Sequence, residues 1–294
     1  MRVGLVGAGP WAERTHAPAL DGHDGAVFAG VWARRGEAAQ ALADRYGVPA
    51  HTGDDGLDAL LDACDAVAFA VPPDVQAPLV ARAARAGRHV LLDKPVATDP
   101  AAAREAADAV ARAGVASLVF CTMRYAEGPR DWLAEQAAKG GWFTGRTHWL
   151  GSLYAADSDS PYAASPWRRA KGGLWDLGPH ALAALVPVLG DVTEVTAVRG
   201  PADAVHLVLR HAGGASSTVT LTLSAPARAQ GVGLEFAGDE GTVSLDATWD
   251  AVPSFVAAVD ALAQSARTGR AHDCDIRFGL RLTEVLAAAE AQLG

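Results

Sequence analysis

The chain opens with a short apolar run, Val3–Val6, followed at once by Gly7-Ala8-Gly9-Pro10-Trp11-Ala12 and then by an amphipathic stretch over Ala12–Leu20. No other feature restricts the possible folds as strongly. The first glycine permits a tight turn. The second lets a pyrophosphate approach the backbone at the positive end of a helix, and Ala12 stands where a third glycine would pack helix against strand. A glycine pair alone says little, and an ordinary glycine turn is the competing reading. Its place between the first strand and the first helix of a βαβ unit makes it a dinucleotide-binding signature.

The next hundred residues repeat the alternation. Val27–Ala33, Ala66–Val71, His89–Leu92 and Val115–Cys121 read as buried strands, and Gly36–Tyr46, Gln76–Ala86 and Pro100–Ala113 as helices, the last closed by Gly114. After Met123 the alternation stops. One short helix is expected over Asp131–Lys139, and Asp157–Arg169, polar and with two prolines, is expected as a loop. Strands then dominate: Arg146–Leu153, Val192–Val198, Ala204–Arg210, Ser216–Ser224, Val232–Phe236 and Thr242–Leu245. Glycine-containing turns such as Ala212-Gly213-Gly214 indicate hairpins. Amphipathic helices over Pro253–Thr268 and Ile276–Leu293 finish the chain. The expected fold is an α/β Rossmann domain, a doubly wound parallel sheet, over residues 1–122. An α+β domain with an open antiparallel sheet follows over residues 123–294.

Composition narrows the partners. Half of the 294 residues are hydrophobic and the formal net charge is −9, so there is core enough for two domains and no electrostatic footprint for nucleic acid or an anionic membrane. No segment approaches ~20 uninterrupted apolar residues. The apolar run at the start breaks at glycines too early for a secretory signal. Cys64, Cys121 and Cys274 form no CxxC pair and no metal-ligand spacing, so free thiols in the cytoplasm and no metal are expected.

Two strand ends carry further cofactor candidates. The second strand is followed by Arg34 and Arg35, with no acid before Glu37. An acid there usually binds the ribose 2′-hydroxyl of NAD, whereas a guanidinium pairs with the 2′-phosphate of NADP. The expected cofactor is therefore NADP, with NAD possible, and solvated surface arginines are the alternative. Pro72-Pro73 and Asp93-Lys94-Pro95 each follow a strand, where residues of an open α/β sheet line the ligand crevice.

The chemistry is concentrated in Lys171-Gly172-Gly173-Leu174-Trp175-Asp176-Leu177-Gly178-Pro179-His180. On a helix Asp176 and His180, four residues apart, share a face. Histidine moves protons near neutral pH and a neighbouring carboxylate tunes it. A plainer alternative exists: Pro179 at a helix start, Asp176 as its N-cap, and His180 as an interior histidine. The other histidines, His16 among them, show no partner spacing.

Together, Gly7–Ala12, Asp93-Lys94-Pro95, Met123-Arg124-Tyr125, Trp167-Arg168 and Gly172–His180 resemble the Gfo/Idh/MocA family of oxidoreductases over nearly the whole chain. The family usually has Glu-Lys-Pro where this chain has Asp93-Lys94-Pro95, and Lys171 precedes only two glycines. The resemblance implies hydride transfer between a nicotinamide and a hydroxyl-bearing carbon of a sugar, cyclitol or related small molecule. Lys94, Asp176 and His180 would be its catalytic group. Gly7, Gly9, Pro10, Trp11, Ala12, Arg34, Arg35, Pro72, Pro73, Asp93, Lys94, Arg124, Trp167 and Arg168 are the candidates for holding the cofactor. It also implies a homo-oligomer formed through the open sheet. Two alternatives on the same fold are a nicotinamide-sensing regulatory protein and a glycoside-cleaving enzyme that uses its cofactor transiently.

Overall fold

The computed structural model describes residues 1–155, 157–245 and 248–294. The first strands are β1 (Arg2–Val6), β2 (Val27–Trp32), β3 (Ala50–His51), β4 (Ala66–Phe69), β5 (His89–Asp93) and β6 (Ser117–Phe120). All pair in parallel in the order β3-β2-β1-β4-β5-β6. That is the doubly wound order in which the chain reverses direction beside β1, and ligands bind past the carboxyl ends of the strands there. The strands read as near-continuous apolar runs because helices cover both faces of such sheets. Leu5, Val6, Val67, Ala68, Val90, Leu92 and Leu118 are fully buried.

The helices of this region are α1 (Ala17–Asp21), α2 (Gly36–Tyr46), α3 (Gly53–Ala63), α4 (Pro73–Arg85) and α5 (Pro100–Ala113). Pro73 and Pro100 occupy the first helical turn, where no N–H is missed, and Asp99 caps α5 through the amides of Ala101 and Ala102. The expected helix Ala12–Leu20 is wound in two ways. Ala12–His16 is a π-helix that runs into α1. Pro18 has no N–H to give the Arg14 carbonyl, so an α-helical ladder cannot pass it unbroken. Helix α3 and the two-residue β3 were not among the expected elements. Turn-forming Gly53-Asp54-Asp55-Gly56 masks the start of α3, whose Leu57, Leu60 and Leu61 form a buried stripe.

The remaining elements are α6 (Glu127–Lys139), β7 (Trp142–Leu150), α7 (Pro166–Leu189), β8 (Val192–Arg199), β9 (Val205–His211), β10 (Ser216–Thr222), β11 (Gly231–Gly238), β12 (Gly241–Leu245), α8 (Ala251–Thr268) and α9 (Ile276–Glu290). The second sheet has the order β12-β11-β7-β10-β9-β8. Every neighbouring pair is antiparallel except β7 with β10, so the sheet is mixed. One face buries Val205, Leu207, Leu209, Val219, Leu221 and Phe236, with α7 packed on β7 and β10. The opposite face leaves Val198 and Val208 exposed and carries the Arg146–Glu235 ion pair.

Two differences from expectation shape the site. The segment expected as a loop over Asp157–Arg169 contains a 3-10 turn, Pro161–Ala164, and the start of α7, because Pro161 and Pro166 each open a helical turn behind a serine. The compact units also divide differently. One is Met1–Ala126 with Asp250–Arg281, and the other is Glu127–Trp249 with Leu282–Gly294. Segment 250–281 was expected in the second domain. It belongs to the first unit because Phe255, Ala258, Val259 and Leu262 form a buried stripe, with the Phe255 ring 4.9 Å from Phe120 and 4.1 Å from His16.

Candidate active site

In the first unit, the turn after β1 has the properties a dinucleotide needs. Gly7 has φ +127°, and a Cβ there would lie 2.3 Å from the Ala70 carbonyl oxygen, so only glycine fits. Its N–H donates to the Trp32 carbonyl at 2.8 Å. A Cβ built on Gly9 meets nothing within 4 Å, which leaves its backbone open to a pyrophosphate. Pro10 is exposed and begins the helical winding. Ala12 is fully buried, where a side chain larger than methyl would spread helix and sheet. Trp11 packs its ring against His16 and Phe120, with centroids 6.0 and 6.4 Å away. These residues fit a dinucleotide, and the open backbone at Gly9 would receive its diphosphate.

Arg34 and Arg35 lie exposed just past β2, where α2 begins. Among the described residues neither guanidinium has a carboxylate partner, so both are available to an incoming anion. Pro72 and Pro73 turn the chain from β4 into α4, and the Pro72 carbonyl accepts from the Gln76 amide at 2.9 Å.

The turn carrying Lys94 is fixed by a residue the sequence did not single out. Gln76 is fully buried. Its Nε2 donates to the carbonyls of Asp93, Pro95 and Val96 at 2.8, 3.1 and 3.2 Å, and its Oε1 accepts from the Asp93 N–H at 2.9 Å. The Asp93 carboxylate accepts from the Lys94 N–H at 2.8 Å. A signal was present: Gln76 is a polar residue on the same helical stripe as buried Pro73 and Val80. Arg124 is engaged elsewhere in this unit. It is 9% exposed, ion-paired with Asp273, with its guanidinium 5.7 Å from the Phe278 ring.

In the second unit, α7 presents Asp176 and His180 from its interior. The helix is broken once, at Gly172 (φ 62°, ψ −162°), a conformation essentially restricted to glycine. The second half therefore starts at Gly173, and the reading of Asp176 as an N-cap is overturned. Asp176 and His180 lie about one turn apart on a common face. A Cβ on Gly173 would meet the Thr222 Cα at 3.0 Å, and one on Gly178 the Leu286 Cδ2 at 2.6 Å. Two close backbone approaches thus seat this half of the helix.

The break also decides what Asp176 touches. In a straight helix Arg168 and Asp176 would be separated by about 12 Å of rise. Instead Arg168 Nε lies 3.1 Å from Asp176 Oδ2, with side chains only 19% and 10% exposed. The Arg168 guanidinium lies 4.7 Å from the Trp167 ring and 5.3 Å from the Tyr162 ring. Arg168, expected beside the cofactor, is here the partner of the candidate catalytic carboxylate, and Trp167 supports it. The His180 imidazole is stacked on Trp149, centroids 4.8 Å apart and planes within 9°. His180 is half-buried, which does not match a histidine sealed in the core. Trp175, next to Asp176, is fully buried and donates its indole N–H to Glu290 at 2.9 Å, and Lys171 reaches the same carboxylate at 3.0 Å.

Two more residues join this group without any sequence signal. The Tyr154 hydroxyl is buried without a hydrogen-bond partner among the described residues, and Arg169 lies 5.4 Å from its ring. Burial raises its pKa above the ordinary phenol value, and the nearby Asp176 charge adds to that. Asp203, in the turn before β9, accepts from the Gly173 N–H at 3.0 Å. Among the described residues no cluster of three or more His, Cys, Asp or Glu side chains could hold a metal ion.

Residues 1–120 match the Gfo/Idh/MocA oxidoreductase family with its NAD-binding Rossmann fold, and residues 144–244 match that family's C-terminal domain. The chain belongs to the Gfo/Idh/MocA family. Among curated Gfo/Idh/MocA relatives, inositol 2-dehydrogenase of Rhizobium meliloti (strain 1021) is 37% identical over 99 residues, 34% of this chain and 29% of that enzyme. This chain spans well under half the length of three of the curated relatives it matches, between 29% and 39%. Solved structures match end to end at lower identity. GenD2 from gentamicin A biosynthesis, in complex with NAD, is 23% identical with a TM-score of 0.83, covering 99% of this chain and 93% of that one. A 3-ketoreductase variant from Actinomadura kijaniata, in complex with TDP-benzene and NADP, is 19% identical with a TM-score of 0.77, covering 100% and 98%. The two-domain Gfo/Idh/MocA fold is thus shared in full.

Proposed function

We propose that the chain is an NADP-preferring oxidoreductase that interconverts a hydroxyl and a carbonyl group on a sugar, a cyclitol or a related small molecule. The observation that carries the reading is the Asp176–His180 pair on α7, with its carboxylate held by Arg168 and its imidazole stacked on Trp149. A proton-transfer group and an oriented carboxylate are what alcohol oxidation asks of a protein. Relatives whose names specify inositol and a dTDP-linked deoxysugar support the substrate class.

When bound, the nicotinamide supplies the two-electron acceptor or donor. Gly7 and Gly9 would receive its diphosphate, Ala12 would let helix and strand pack closely beside it, and Arg34 and Arg35 would pair with a 2′-phosphate. In oxidation His180 takes the proton of the substrate hydroxyl as the carbonyl forms, and in reduction it returns that proton. Asp176 orients the hydroxyl. Lys94, at the end of β5 in the first unit, is the further catalytic group that the family resemblance implies, a cation suited to negative charge as it develops. The buried free thiols Cys64, Cys121 and Cys274 suit a reducing compartment, the cytoplasm. The exposed valines on the open sheet face suit a homo-oligomer, which light scattering after size exclusion tests directly.

Titrating NADPH and NADH separately by fluorescence tests the cofactor reading. NADPH is expected to bind at least tenfold more tightly, and equal or tighter NADH binding overturns it. Lys94→Ala and His180→Ala, assayed on a panel of aldehydes, ketones and polyols, test the chemistry. Each is expected to lose ~100-fold or more in turnover, and unchanged turnover in both removes the catalytic group.

A further inference from the structure

The half of α7 that bears Asp176 and His180 starts without a cap of its own. A helix N-terminus leaves backbone N–H groups without intrahelical partners, and a Ser, Thr, Asp or Asn at the N-cap normally satisfies one. Here that position is Gly172, which has no side chain, and its φ of 62° strains any other L residue. A cap must therefore come from another part of the chain.

Asp203 supplies it from 30 residues away. Its Oδ2 accepts from the Gly173 N–H at 3.0 Å and from the Leu223 N–H at 2.9 Å, while its Oδ1 accepts from Thr222 Oγ1 at 2.6 Å. One carboxylate thus fastens the start of the helix to the end of β10, where Gly173 already touches the Thr222 backbone. The negative charge also sits at the positive end of the helix dipole. Burial works to raise the Asp203 pKa, but the bonds from Thr222, Leu223, Ser224 and Gly173 outweigh it, so the group is held ionised below the ordinary carboxylate range. Asp176 lies in the first turn after Gly173, about 4.5 Å along the axis, and His180 about 10.5 Å along it. Loosening the helix start therefore disturbs Asp176 first.

We propose that Asp203 is a positioning residue for the reaction, acting through Asp176 by fixing the first turn of the helix that carries it. The inference rests on the catalytic reading of Asp176 and His180 given above.

The test uses the full chain with Asp203→Ala and Asp203→Asn, the second keeping a carbonyl acceptor should the first fail to fold. Amide hydrogen exchange of residues 173–177 is followed by mass spectrometry, since it needs no substrate. Exchange there should accelerate roughly fivefold to thirtyfold in Asp203→Ala, as for loss of a cap, and less in Asp203→Asn. Kinetics are read with NADP and with myo-inositol and D-glucose as substrate probes. Asp203→Ala should lower kcat about tenfold in the parent chain but less than twofold in an Asp176→Ala background, because the two act through one group. Unchanged exchange in both variants overturns the inference, as does an equal kcat loss in both backgrounds. Faster exchange at 173–177, together with unchanged turnover in Lys94→Ala and His180→Ala, leaves the cap in place and sinks the catalytic reading instead.

Discussion

The Gln76 side chain is bonded to the Asp93 backbone on both sides, donating to its carbonyl at 2.8 Å and accepting from its N–H at 2.9 Å. A side-chain amide thereby does what a neighbouring strand would do, past the point where β4 stops pairing with β5. The residue after Asp93 is Lys94, so the candidate catalytic ammonium stands on a backbone that this glutamine helps to hold.

Gln76→Leu keeps the bulk and removes every one of these bonds. Leaving buried backbone groups without partners costs about 1–3 kcal/mol each before relaxation, so a loss of roughly 2–4 kcal/mol in urea melts is expected. In active variants kcat should fall about tenfold or more, since Lys94 loses its placement. A melt and a kcat within error of the parent chain would show that the turn holds itself.

Arg168 can be separated experimentally from cofactor binding. Its bond to Asp176 is charge-assisted and mostly shielded from water. Removing a hydrogen bond to a charged group costs about 1.5–3 kcal/mol, so Arg168→Ala should lower kcat/KM roughly ten- to hundredfold. NADPH affinity, read by fluorescence titration, should change less than twofold. A large loss of NADPH affinity with kcat/KM for substrate intact would place Arg168 on the cofactor.

His16 gives the first unit an acid sensitivity. Its ring is packed among Trp11, Phe120 and Phe255, its Nδ1 has no hydrogen-bond partner among the described residues, and burial pushes its pKa down to about 3. The unfolded chain takes up this proton near pH 6.5, the folded one only near 3. The unfolded state therefore binds more protons between those values, and stability falls as pH drops below 6.5, by at most about 1.4 kcal/mol per unit. Urea melts from pH 7 to pH 5 should show this slope, and His16→Leu should flatten it. An identical slope in the variant would assign the acid sensitivity to other groups.

Gly7→Ala should be the most damaging single methyl in the cofactor turn. The added Cβ would press on the Ala70 backbone, which cannot move without pulling β4 from β1. NADPH binding should weaken at least ~100-fold, and a destabilisation of several kcal/mol is expected. Gly9→Ala offers the contrast: nothing lies within 4 Å of its Cβ, so folding should persist while cofactor affinity drops.

The comparison of sequence with structure follows a physical divide. Gly7–Ala12 was legible because its meaning is local: a strand, a turn and a helix within a dozen residues. The shared face of Asp176 and His180 was legible for the same reason, since helical spacing alone sets it. Asp203 and Gln76 were not, because each matters through bonds to segments 30 and 17 residues away, and an aspartate in a turn looks alike whether or not it caps something. The parallel pairing of β7 with β10 was hidden likewise, because its register joins Thr144 to Ser216 across most of the second unit. The contact of Arg168 with Asp176 was not legible, because the break at Gly172, which turns Arg168 onto Asp176, is a conformation and not a residue type.

That break has a consequence for how such a chain can diversify. Residues 166–171 join the rest of α7 through one glycine and meet it again through the Arg168–Asp176 pair, while 173–189 are clamped by close contacts at Gly173 and Gly178 and by a remote carboxylate. Substitutions in the first half other than at Arg168 can reshape what approaches Asp176 without transmitting strain to the clamped half. Outside Arg168, one left-handed residue thus separates selectivity from reactivity, and a library randomised over residues 160–171 with Arg168 and Gly172 held constant would explore new specificities on an undisturbed proton-transfer frame.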